Sequence, residues 1–210
     1  MDSKEFIGVL DKLFPNPKCE LNYKSNYELL VAVILSAQCT DKRVNIVTSQ
    51  LFKEHNTPEK MLTLTQEELE NKIHSCGFYH NKAKNILSMS KELIEKFNGK
   101  VPSNLDELQT LSGVGRKTAN VVYSEAFKGD AIAVDTHVLR VSNRLGFIKT
   151  DNPFQCEKEL MKRFDKKEWG KLHLQMVLFG RYICKSIKPQ CQICPLQNVC
   201  EYYKNTKCSK

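Results

Sequence analysis

Apolar residues recur at three- and four-residue spacing along most of the chain, the period of a helix with one buried face. Phe6, Val9, Leu10 and Leu13 share such a face over residues 5–14, and Val44, Val47, Leu51 and Phe52 share another after Asp41. Residues 27–38, YELLVAVILSAQ, are apolar nearly all round and predict a helix buried on most sides. Polar residues punctuate the pattern. Asn26 and Asp41 are placed as N-caps, Thr65 with Glu68 forms a capping box, and Asn81 stands before a helix that ends at Asn98-Gly99. Pro102 and Ser103 open another helix, and more are expected near 115–127, 136–145, 154–164 and 168–184. Strand-like alternation is missing, and residues 131–134 (AIAV) read as an extended buried connector. The expectation is an all-α protein with no low-complexity linker or internal repeat.

Charge narrows the partners. Lys and Arg number 32 against 24 Asp and Glu, a net charge of +8, which favours a polyanion such as nucleic acid. The longest apolar run, residues 29–35, is too short to cross a bilayer, so no membrane partner is expected. The opening MDSKEFIGVL has an acidic residue at position 2 and no long apolar run, so no signal peptide is expected and the protein reads as soluble and intracellular. Nine cysteines, an odd count, argue against a disulfide framework.

Two stretches carry candidate chemistry. Residues 111–122 read LSGVGRKTANVV. They are not a nucleotide-binding P-loop, because Arg116 separates Gly115 from Lys117 and the residue five before Gly115 is Thr110. Leu108, Leu111 and Val114 face inward and Ala119 and Val122 continue the apolar face, which fits two helices joined by a tight turn. Gly113 and Gly115 are read as allowing positive φ and close approach of a ligand to the backbone. Such a turn at a helix start suits an anion, and a DNA phosphate is the candidate. The second stretch holds Cys184, Cys191, Cys194 and Cys200 as C-x6-C-x2-C-x5-C. Four soft thiolates in a compact loop point to a metal or cluster, and the spacing alone leaves zinc and iron both open. The other cysteines, Cys19, Cys39, Cys76, Cys156 and Cys208, are scattered.

LSGVGRKTANVV is similar to the helix-hairpin-helix of the endonuclease III family of DNA glycosylases. IAVDTHVLRVSNRLG, LLVAVILSAQCTD and the terminal cysteine pattern resemble the same family in the same order, over nearly the whole chain. The resemblance implies two helical domains flanking an active-site cleft, residues 21–132 and residues 1–20 with 133–210. It implies a monomer that removes oxidised pyrimidines from duplex DNA and nicks the abasic site by β-elimination. Residue by residue, it makes Lys117 the nucleophile that forms a Schiff base at the sugar C1′, and Asp135 the carboxylate that assists it. It places Gly113, Val114, Gly115 and Arg116 against DNA, and Gln38 and Phe78 as the plug and wedge that fill the space of the extruded base; on the loop between the first two clustered cysteines, Lys185 and Lys188 are expected to meet phosphates. The resemblance assigns a [4Fe–4S] cluster to Cys184, Cys191, Cys194 and Cys200. Two positions depart from the family: Ser112, where proline is common, and Cys39, where a small apolar residue is usual. The first is expected to change turn rigidity.

A lysine attacks only as the neutral amine. From a reference pKa of about 10.4, reactivity near neutral pH needs a fall of roughly three units, about 4 kcal/mol. A helix start supplies about 0.3–1 kcal/mol, so burial in a pocket and the adjacent Arg116 charge are expected to supply more. Asp135 precedes a helix and is an N-cap candidate as well as a catalytic one, whereas His137 reads as structural or phosphate-facing. Lys82, Lys84, Arg140, Arg144 and Arg181 are further candidates for contact with the DNA backbone. The rival readings are a monofunctional adenine-mismatch glycosylase and a non-catalytic hairpin DNA-binding protein. Lys117, and an end ten residues after Cys200 where such enzymes carry a further domain, weigh against the first, and Lys117 together with Asp135 weighs against the second.

Overall fold

The computed structural model describes residues 2–206, in which the regular structure is helical and no strand is present; Cys208 lies outside the described residues. The chain forms two compact units, one of residues Cys19–Gly129 and one of Met1–Lys18 with Asp130–Lys210. Helix α1 (Ser3–Leu13) therefore belongs with the later part of the chain.

The Cys19–Gly129 unit contains α2 (Asn26–Ser36), α3 (Asp41–Leu51), α4 (Pro58–Met61), α5 (Gln66–Ile73), α6 (Tyr79–Phe97), α7 (Leu105–Gln109) and α8 (Arg116–Phe127). Its centre is α2, where every residue from Tyr27 to Leu35 is buried, as the all-round apolar pattern requires. Leu30, Leu35, Leu51, Leu69, Ile86, Met89 and Leu93 pack in one core with Ala119 and Val122 of α8. Glu28 is buried on α2 yet satisfied, because it accepts from the Lys24 amide at 2.5 Å.

The caps shift by one residue from their expected places. Ser25 caps α2 by accepting from the Glu28 amide, and Thr40 caps α3 by accepting from the Arg43 amide. Asn26 and Asp41 stand instead at the first helical positions, where Asp41 faces the positive end of the helix dipole. The Thr65–Glu68 capping box forms as the sequence predicts. Helix α6 starts at Tyr79 rather than after Asn81, from a left-handed Phe78 with no capping side chain. It ends at left-handed Asn98. Helix α7 begins at Leu105, later than Pro102 and Ser103 suggest, because Asn104 supplies its cap.

The other unit contains α1, α9 (Thr136–Leu145), α10 (Pro153–Arg163), α11 (Trp169–Tyr182) and α12 (Glu201–Thr206). Residues 131–134 are extended and buried, and Ile132 and Val134 join a core with Phe6, Leu10, Val138, Val141, Met176 and Phe179. Phe6 packs edge-on against Phe147 at 5.0 Å between centroids. Helices α4 and α12 are too short to leave a readable period in the sequence.

Truncating the fully buried Leu30 on the central helix removes contacts that the surrounding helices cannot refill. Leu30→Ala is expected to cost about 2–5 kcal/mol in denaturant unfolding.

Candidate active site

The hairpin is α7, a turn over residues 110–115, and α8. Gly113 takes φ +77°, and a Cβ there would lie 2.8 Å from the Asn85 Cβ, so both conformation and space demand glycine. Gly115 differs from its sequence reading. Its φ is −81°, open to any residue, and no heavy atom lies within 4 Å of where its Cβ would stand. Its glycine therefore leaves the start of α8 uncovered rather than enabling a turn. Val114 faces inward as its apolar spacing predicts, which bears on its expected place against DNA. Its amide donates to the Leu111 carbonyl at 3.1 Å and its side chain is buried, so it does not offer an outward donor. Gly115 and Arg116 remain exposed.

Ser112 explains its own departure from proline. Its amide donates to Glu92 Oε2 at 2.8 Å and its hydroxyl donates to Glu92 Oε1 at 2.6 Å. Ser88 Oγ lies 2.9 Å from Ser112 Oγ. A proline has no amide to donate, so in this chain a carboxylate on α6 pins the turn that ring rigidity would otherwise hold. Burial raises the Glu92 carboxyl, but hydrogen bonds from Ser112 and Ser88 and the nearby Lys96 lower it more, and the net shift is downward.

Lys117 sits one residue into α8 with an exposed side chain. Asp135 is the N-cap of α9, and its Oδ1 accepts from both the His137 and Val138 amides at 2.8 Å. Both cap bonds run to the same oxygen. His137 is structural: its Nδ1 lies 3.1 Å from Arg140 Nη2, and a Cβ on Gly180 would come within 2.7 Å of its Cβ. Desolvation lowers its pKa, and Arg140 adds to the effect against the pull of Asp135.

Gln38 and Phe78 are exposed, neither a buried polar cap nor a core aromatic. Phe78 is 64% exposed. Both are left-handed, with φ 55° and 48°. Lys82 is the reverse of its sequence reading. It is buried and cannot meet a DNA backbone, for its Nζ donates to the carbonyls of Leu35, Ala37 and Cys76. Cys39 packs against the core with its thiol hydrogen-bonded to Cys76, and burial, then Cys39, pushes the Cys76 thiol up to about 11.

Cys184, Cys191, Cys194 and Cys200 line one pocket with Leu145, Phe179, Ile183 and Pro189. Two arginines of α9 fasten it. Arg140 donates to the carbonyls of Gly180 and Cys184, at 2.8 and 3.0 Å. Arg144 donates to the carbonyls of Lys185 and Ser186 and lies 3.5 Å from Cys184 Sγ. The sequence makes both candidates for DNA contact, but both guanidinium groups are occupied within the protein. Lys185 and Lys188 remain exposed on the loop between the first two cysteines, beside Ile187 at 80% exposure. Among the described residues no three potential ligands converge on a single metal ion. A tetrahedral zinc with bonds of about 2.3 Å needs its sulfurs roughly 3.8 Å apart. A cluster takes one thiolate per iron and spaces its ligands more widely. The donor set, four soft sulfurs around one mostly apolar pocket, fits the cluster.

A glycine-turned pair of helices with an open helix start defines a helix-hairpin-helix protein. Comparison with known proteins narrows the class. Residues 31–166 match the HhH-GPD superfamily of base excision DNA repair proteins. The chain is 50% identical to endonuclease III of Bacillus subtilis (strain 168), over 95% of this chain and 93% of that protein. It is 49% identical to endonuclease III of Rickettsia conorii, over 97% of each. An endonuclease III trapped as a covalent intermediate with DNA superposes with a TM-score of 0.93 at 50% identity, covering 98% of each chain. A thermostable thymine-DNA glycosylase, 22% identical and covering 96% of each chain, shares the fold with a TM-score of 0.84. The chain belongs to the endonuclease III family of the HhH-GPD superfamily.

The Glu92–Ser112 pair makes a testable contribution. Glu92→Gln is expected to cost on the order of 1 kcal/mol at neutral pH. Because the folded carboxyl is held low, that stabilisation is complete above the ordinary value of 4.5 and is lost as pH falls through the lowered one. The Tm difference between wild type and Glu92→Gln should shrink on acidification.

Proposed function

We propose that Lys117 and Asp135 perform base excision and strand cleavage in this chain, a DNA glycosylase with abasic-site lyase activity acting on oxidised pyrimidines in duplex DNA. The observation that carries the proposal is the open start of α8. Gly115 has no side chain to close it, and Lys117 projects from the same turn into solvent. A phosphate seated on that helix end fixes the DNA backbone beside the amine.

The chemistry rests on the two side chains. Lys117 Nζ attacks the sugar C1′ and the glycosidic bond to the damaged base breaks. Loss of a proton and opening of the sugar give a Schiff base. Removal of a C2′ proton then breaks the 3′ C–O bond, leaving a nicked strand. Asp135 holds its place through Oδ1 as a helix cap and offers Oδ2 as counter-charge and proton acceptor. An exposed lysine lacks the desolvation that an amine nucleophile needs. The DNA supplies it by closing over the side chain, so the nucleophile is activated only in the complex. Gln38 and Phe78 enter the space left by the extruded base, as their exposure permits. At the nucleoid the +8 charge favours binding to undamaged DNA as well.

Cys184, Cys191, Cys194 and Cys200 would hold a [4Fe–4S] cluster. Its contribution is structural, cross-linking the loop that presents Lys185 and Lys188 to phosphates.

Lys117→Gln is expected to abolish nicking of an oxidised-pyrimidine duplex while keeping DNA affinity near that of wild type, and Asp135→Asn to slow excision by about 100-fold or more. Retained nicking in Lys117→Gln contradicts the assignment. Purified protein should carry about four iron and four sulfide per chain. Cys194→Ser should lower both that content and DNA affinity, whereas stoichiometric zinc in wild type contradicts the cluster.

A further inference from the structure

Lys82 stands out as a buried cation with no carboxylate among its hydrogen-bond acceptors. Its side chain leaves α6 and its Nζ donates to three carbonyls: Cys76 at 2.6 Å, Ala37 at 2.7 Å and Leu35 at 2.8 Å. An ammonium has three donors, so all are used. Two of the acceptors lie at the end of α2, where the helix dipole favours a cation. The third ends the 3-10 turn His74–Cys76.

Two of these acceptors stand immediately before left-handed backbone. Gln38 comes one residue after Ala37, with φ 55°. Gly77 and Phe78 come directly after Cys76, with φ 60° and 48°. A left-handed backbone is disfavoured for glutamine and phenylalanine and persists only where neighbours impose it. Neither residue is held by burial, since both are exposed. The Lys82 amide also donates to the Phe78 carbonyl at 3.1 Å, so both polar ends of Lys82 act on these turns.

We propose that Lys82 is the positioning residue for lesion recognition: its buried ammonium ties the Gln38 turn to the Phe78 turn and holds both side chains out together. This rests on the reading of Gln38 and Phe78 as the residues that enter the duplex. Extruding a nucleotide costs free energy that two pre-set side chains offset, and loose turns would have to be ordered at that moment. Lys82 touches neither the reacting atoms nor the DNA, and acts only through the two turns.

The test compares two reactions of the same variants. Lys82→Met is expected to lower kcat for excision of an oxidised pyrimidine from duplex DNA by about 10- to 100-fold, the scale on which a displacement of about 1 Å acts. KM should change little. Cleavage of an abasic site in single-stranded DNA needs no extrusion and should stay close to wild type. Lys82→Gln keeps two N–H donors and should fall between, and it carries the comparison if Lys82→Met does not fold. In wild type, the Lys82 ammonium should give a slowly exchanging NH3+ signal in 15N-lysine NMR. Wild-type excision by Lys82→Met, equal loss of both reactions, or a fast-exchanging ammonium overturns the proposal. The underlying reading is tested separately by Gln38→Ala with Phe78→Ala at intact Lys82. Unchanged excision there removes the role of the two side chains, whatever Lys82 does.

Discussion

One polar stripe on α6 organises the Cys19–Gly129 unit. Lys82, Asn85, Ser88 and Glu92 succeed one another at three- and four-residue spacing and so lie on one side of the helix. Lys82 ties down the ends of α2 and of the 3-10 turn before Phe78. Asn85 packs where Gly113 can have no Cβ, and Ser88 and Glu92 hold Ser112. The adjoining face of α6 supplies Ile86, Met89 and Leu93 to the core, in line with the buried Lys82. A rigid, core-anchored helix thus carries both the hairpin and the two exposed turns, and fixes the spacing among them. Preorganisation of this kind suits an enzyme that must distort a stiff duplex.

The proposed nucleophile stands where the protein leaves it exposed. Lys117 is exposed at an open helix start, and Asp135 caps α9 through Oδ1. The cysteine loop obeys a different logic. Arg140 and Arg144 donate to the carbonyls of Cys184, Lys185 and Ser186, so α9 helps to set the loop's form.

Much of this structure is legible in the sequence, and the failures share a cause. Helical periods locate α1, α2, α3, α8, α9, α10 and α11 closely, because burial of one face is a strong and local signal. Asp135 is readable as a cap for the same reason. The family motifs name Lys117 and the cysteines, which geometry alone would not rank above other exposed lysines or thiols. Lys82, Arg140 and Arg144 are misread as DNA contacts because a basic residue satisfied by backbone carbonyls has no sequence signature. Their acceptors are up to 47 residues away. Gly115 and Val114 are misjudged because which glycine of a G-x-G turn takes the positive φ, and which amide turns inward, depends on the hydrogen bonds of the turn.

The central claim is that Lys117 is the amine that joins the DNA. Borohydride reduction during reaction with an abasic-site duplex, then proteolysis and mass spectrometry, reads this directly. The account predicts a stable protein–DNA adduct whose sugar remnant maps to the Lys117 ε-amine and which Lys117→Gln does not form. An adduct at another lysine or at the N-terminus, or no adduct in cluster-loaded wild type, would contradict it.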